Sequence, residues 1–179
     1  MSEGIELPEA HDERGDNPFL VPVSVTISIL AVLVAAVTLL GHRAHTEELL
    51  LQSQATDQWA YYQAKNIRLH EMQSVVDLLG ALAPADKEKA VAAQEKYKKE
   101  VERYEGDKED ISEKAKDLEK ERDVVSRRAD RFDGGEGLIE VGLVICSMTL
   151  LTKRRLYWFA GMLIGAGGVA FALTAFLVH

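Results

Sequence analysis

The charges of this chain are segregated along its length, and that segregation limits the fold before any motif is considered. Residues 17–41 and 156–178 contain no Asp, Glu, Lys or Arg, whereas residues 41–133 hold 38 of the chain's 50 such residues. The mean hydropathy of −0.09 averages two regimes and describes neither. An uncharged stretch of this length exceeds the roughly 20 residues that a helix needs to cross a hydrocarbon core. A conventional soluble globule is therefore excluded, and the expected class is an all-α membrane protein. It would have three transmembrane helices, with a long antiparallel coiled-coil hairpin between the first and the second.

The expected organisation follows from that pattern. Residues 1–16 form an acidic, disordered tail with six acids against Arg14 alone, which is unlike the basic start of a cleaved leader. Residues 17–41 read as the first membrane helix, with Asn17 as N-cap and Pro18 in the first helical position, where a missing N–H costs nothing. Residues 134–152 and 156–178 read as a second and third span. They are joined by the basic link Lys153, Arg154 and Arg155, and Tyr157, Trp158 and Phe159 fit an interfacial aromatic belt. Short cationic loops are retained in the cytoplasm, which would put the hairpin on the periplasmic side and the N-terminus inside. Arg43, Arg127, Arg128 and Arg131 argue for the opposite orientation.

The charged middle, 42–133, carries helical periodicity nearly throughout and a single proline, Pro84, where the hairpin corner is expected. Tyr97, Val101, Tyr104, Lys108, Ile111, Ala115, Leu118, Arg122 and Val125 follow the alternating four-three spacing of a coiled-coil seam. Lys108 and Arg122 interrupt it as register-setting polar residues. Asp86 reads as the N-cap of this arm, and Gly134 and Gly135 as its stop and an elbow at the membrane. The first arm has a matching face through Ala55, Trp59, Tyr62, Leu69, Met72, Val76 and Leu79. A second set, Ala60, Ala64, Ile67, Val75, Leu78 and Leu82, widens it. One facing helix cannot cover a stripe so wide, which points to a homo-oligomer.

The run Ala55-Thr56-Asp57-Gln58-Trp59-Ala60-Tyr61-Tyr62-Gln63-Ala64-Lys65 resembles the signature of an uncharacterised bacterial membrane-protein family known as domain of unknown function 4337. The Gly41-His42 exit, the charged return helix, the Leu150–Arg155 link and Tyr157-Trp158 fit the same pattern, so the resemblance covers all but the acidic tail. Thr56 stands where a serine is expected, and Glu140 near a position expected to be an amide or apolar. The resemblance implies a bacterial inner-membrane protein with three spans, and no reaction.

Within that frame, Asp57, Gln58, Trp59, Tyr61, Tyr62, Gln63 and Lys65 form a candidate recognition or packing hub. It reads either as a ligand platform or, in the preferred reading, as a helix-packing site in which Asp57 and Gln58 bond to a neighbouring helix. Glu136 and Glu140, one turn apart on the second span, are a candidate ion pathway. The plainer alternative is an interfacial carboxylate paired with Arg43 or Arg131. Gly161, Gly165, Gly168 and Ala172 give the third span a small-residue face for helix association. His42 and His45 are two histidines without a third ligand, so no metal is expected. No nucleophile is accompanied by a base, and the lone Cys146 reads as a small apolar residue. The function expected is a non-enzymatic, self-associating scaffold with lipid and a protein at the hairpin tip as partners, and with no cofactor and no nucleic acid. The alternative is a small oligomeric channel or transporter using Glu140.

Overall fold

The computed structural model describes residues 18–81 and 87–179. Those residues are helical and contain no strand. Helix α1 runs Leu20–Ala81, α2 runs Lys87–Thr152 and α3 runs Arg155–Leu173, followed by a 3-10 turn at Thr174–Leu177. Each of the three contains a segment long and apolar enough to cross a membrane. The acidic tail, the Asn17 and Asp86 caps and the corner near Pro84 lie outside the described residues.

Two sequence boundaries dissolve into longer helices. Helix α1 passes Gly41 without interruption, because a lone glycine weakens a helix without ending it. Gly134 and Gly135 do not stop α2 or form an elbow, for the helix continues through both to Thr152. Pro22 is tolerated because it sits in the first turn of α1, where its absent N–H would have no helical acceptor. The hydroxyls of Ser24, Thr26 and Ser28 in the apolar part of α1 donate to the carbonyls of Leu20, Pro22 and Ser24, at 3.1, 2.8 and 3.0 Å. Each polar group is thus satisfied within its own helix.

The chain divides into two compact units. The first comprises the described residues up to Gly41 together with Asp130–Leu177. Its core contains Val23, Leu30, Val37, Phe132, Ile139, Cys146 and Ala172. Here α2 and α3 meet through glycine. A Cβ built on Gly142 would lie 2.7 Å from both Gly161 O and Gly165 N, and one on Gly135 would lie 2.6 Å from Ala172 Cβ. Gly165 faces the Leu30 side chain of α1, and Gly168 faces Ile139. The reversal between α2 and α3 is made by Lys153, whose φ of 53° is left-handed and whose N–H donates to Thr149 O at 2.8 Å.

The second unit comprises His42–Ala129 with Val178–His179. Ala44, Leu51, Ala55 and Leu69 of α1 and Tyr104, Ile111, Ala115, Val125 and Ala129 of α2 form its buried layer. Every position of the predicted α2 seam from Tyr97 to Val125 is buried or half-buried, and so is every position of the first α1 face. The second α1 set behaves differently: Ala60, Ala64, Ile67, Val75 and Leu78 are exposed, and Leu82 lies outside the described residues.

Candidate functional site

The aromatic hub lies in the second unit. Trp59 Nε1–H donates to Glu119 Oε1 at 2.8 Å, and the Trp59 and Tyr62 rings meet edge to face at 5.5 Å. One turn on, Lys65 Nζ donates to Asp107 Oδ2 at 2.7 Å, 4.6 Å from the centre of the Tyr104 ring and 5.6 Å from that of Tyr61. Lys108 Nζ donates to Asn66 Oδ1 at 2.9 Å and lies 5.4 Å from the Tyr62 ring centre. Arg122 donates to Gln52 Oε1 and to Asp123. Both polar interruptions of the α2 seam therefore end on an amide oxygen of α1.

Asp57 and Gln58 do not bond to a neighbouring helix within this chain. Asp57 and Gln63 are exposed, and among the described residues neither they nor Gln58 makes a hydrogen bond. The cross-helix bonds instead involve Gln52, Trp59, Lys65 and Asn66 of α1. Asn66, Asp107 and Glu119 escaped the sequence reading, because periodicity identifies a face but not the residue opposite it.

The electrostatics of the hub are those of an ion pair on an aromatic bed. The hydrogen bond from Lys65, followed by the attraction of its charge, holds the Asp107 carboxyl below its ordinary value of 3.8. The hydrogen bond to Asp107 raises Lys65 above its ordinary 10.5, against partial desolvation. The depressed Asp107 contributes stability above the unfolded carboxyl value that is lost as pH falls through its folded value. The raised Lys65 contributes stability below 10.5 that is lost as pH rises through its own folded value. The difference in thermal midpoint between the parent and Asp107→Asn should therefore be flat from about pH 4 to about pH 10 and close on either side. A difference that instead varied through neutral pH would assign the effect to another group.

An open cavity of about 610 Å³ lies beside the hub, lined by Tyr62, Lys108, Ser112, Lys116, Asp117 and Lys120 among others. Its charges alternate in sign, so it presents no single-signed field to a ligand. Among the described residues no three of His, Cys, Asp and Glu converge as a metal site, and His45 instead meets Glu48 at 3.3 Å.

The acids of the first unit have separate fates. Glu136 Oε1 accepts a 2.6 Å hydrogen bond from Thr38 Oγ1. Glu140 is exposed and has no hydrogen bond or ion pair among the described residues. It borders a groove of about 350 Å³ with Ala31, Val34, Leu143 and Val144. Its expected pairing with Arg131 does not form, since Arg131 Nη1 donates to Thr174 Oγ1 at 3.5 Å and the guanidinium lies over Phe171. Gly161, Gly165, Gly168 and Ala172 are buried within the unit. Their small-residue face serves contacts inside the chain and is not open to a second copy. The partners they needed, Gly135 and Gly142, were legible as small residues seven apart on α2.

A family model described as Domain of unknown function (DUF4337) matches residues 19–178. Neither a curated protein nor a solved structure matches the chain.

Proposed function

The chain belongs to the family described as Domain of unknown function (DUF4337), and on that premise we propose that it is a non-enzymatic, self-associating scaffold of a bacterial inner membrane. Three helices long and apolar enough to span a bilayer support the multi-pass reading. The short cationic connection favours a cytoplasmic side for residues 153–155 and a periplasmic side for the charged middle, 42–133. An antiparallel coiled coil in the second unit is supported by bonds in which rising numbers on α1 meet falling numbers on α2: Gln52 with Arg122, Trp59 with Glu119, Lys65 with Asp107.

One observation carries the self-association reading. Ile67 and Leu78 are 59% and 58% exposed on a helix whose opposite face is buried at Ala55 and Leu69. Helix α2 covers one stripe of α1 and leaves another apolar stripe to water, where each buried methylene would gain about 0.8 kcal/mol. A second copy of the chain is the occupant proposed for it. Glu140 favours the second reading, a channel, because an unpaired acid on a membrane helix belongs beside water or a partner.

Mass measurement in nanodiscs tests both readings. The parent should appear as a multiple of 19.8 kDa, and the double variant Ile67→Glu, Leu78→Glu should fall to the single-chain mass with unchanged helix content. A parent that is strictly monomeric would remove the scaffold proposal. An assembly with an open axis and ion flux abolished by Glu140→Gln would replace it with the channel.

A further inference from the structure

The α2–α3 connection of the first unit places three cations side by side. From residue 141 to the C-terminus there is no Asp or Glu, and the only Lys or Arg residues are Lys153, Arg154 and Arg155, all exposed. Among the described residues the side chains of Lys153 and Arg154 make no ion pair. The Arg155 guanidinium lies 5.1 Å from the centre of the Phe19 ring. Phe19 meets Trp158 edge to face at 5.5 Å, Trp158 lies 5.1 Å from Phe159, and Trp158 Nε1–H donates to Thr26 Oγ1 at 3.1 Å. Arg155 thus sits beside a cluster of aromatic rings, with Lys153 and Arg154 next to it in sequence.

Two backbone features add to the charge. Helix α3 begins at Arg155 with no side-chain cap from Arg154, so its first N–H groups lack intrahelical acceptors and carry the positive end of the helix dipole. Lys153 holds a left-handed φ of 53°, a conformation that glycine adopts without steric cost. A lysine at that position keeps an ammonium at the turn in spite of backbone strain, and strain retained in this way points to a use.

We propose that this connection binds the phosphate of an anionic phospholipid headgroup. Lys153, Arg154, Arg155 and the uncapped N–H groups of α3 neutralise the phosphate, while Phe19, Trp158 and Phe159 pack at the level of the glycerol and the upper acyl chains. The inference rests on the membrane reading of the first unit. The lipid, and not a free anion, is the source, because the cations are flanked in sequence by the apolar, acid-free segments 141–152 and 156–178 with an aromatic border, the composition of a bilayer boundary.

Tryptophan quenching tests the site in the full chain. Trp59 belongs to the other unit, so Trp59→Phe leaves Trp158 as the sole reporter of the chain's two tryptophans. The protein is placed in phosphatidylcholine vesicles doped with brominated phosphatidylglycerol or with brominated phosphatidylcholine. The anionic quencher should act at a lower mole fraction, by roughly fivefold for each cation that engages. Arg154→Gln should reduce the preference about fivefold, and the triple variant Lys153→Gln, Arg154→Gln, Arg155→Gln should abolish it while quenching by both lipids persists. Equal quenching of the parent by the two lipids would overturn the lipid site and leave the membrane reading intact. Quenching by neither would overturn both. A preference erased by inorganic phosphate at constant ionic strength would make this a free-anion site and overturn the lipid assignment; its persistence supports the proposal.

Discussion

Gly142→Val is expected to be the most damaging single substitution in the first unit. A Cβ there would fall 2.7 Å from the backbone of α3 at Gly161 and Gly165, so no side-chain rotation can relieve the clash and the two helices must separate. Forced overpacking costs about 1–3 kcal/mol and occasionally more. A clash of backbone against backbone belongs at the upper end of that range, and the extra methyls of valine add to it. Separation would also loosen the Ile139 and Cys146 contacts with Gly168 and Gly161, so the loss spreads along the helix pair. Unfolding in mixed micelles, followed by Trp158 fluorescence, would read the change. The control is internal: a Cβ on Gly137 or Gly167 meets nothing within 4 Å. Alanine at either should be neutral or should stabilise α2 or α3 by about 0.5–1 kcal/mol, as expected for glycine replaced within a helix. Equal sensitivity at Gly137 and Gly142 would mean that the close approach of α2 and α3 is not what holds this unit together.

Ile111→Ala is expected to be the corresponding lesion in the second unit. Ile111 is 6% exposed in the seam of α2, beside the fully buried Ala115. Large-to-small substitutions of this kind cost about 2–5 kcal/mol, depending on how far the site collapses. A layer only two helices thick can close partly over the gap, which places the expected loss near 2–3 kcal/mol. Val91→Ala should be silent by the same denaturant midpoint, since Val91 is 55% exposed on the same helix. If Ile111→Ala were silent as well, the burial of the seam would not be a source of stability.

The two units differ in how far they could be read from sequence. The seam from Tyr97 to Val125 was legible because a four-three repeat on a charged helix leaves only one face able to be buried. The exposed set containing Ile67 and Leu78 was legible for the complementary reason, since an apolar stripe wider than one partner must leave part of itself uncovered. The bonding within the hub was not. Gln58 carries the same amide as Asn66, and Asp57 a charge as able to pair as that of Lys65, so only the angular position of each on α1 decides which can reach α2. In the first unit, Gly134 and Gly135 have the composition of a helix stop. They continue the helix because Gly135 is enclosed by Gly168 and Ala172, a contact that lies 33 and 37 residues away and has no local signature.

Membrane-spanning capacity, helical class, the buried face of the charged arm and the cationic turn were determined by the sequence alone. Each depends on transfer free energies and periodicities that add residue by residue along a short window. Tertiary structure decided the rest: that the small face of α3 is consumed within the chain, that Glu136 has Thr38 while Glu140 is exposed and unpaired among the described residues, and that Lys65 and not Asp57 crosses to α2. Those outcomes depend on the register of segments distant in sequence. Register is set by the fit of side-chain volumes across an interface, a sum over pairs that no single window of sequence contains.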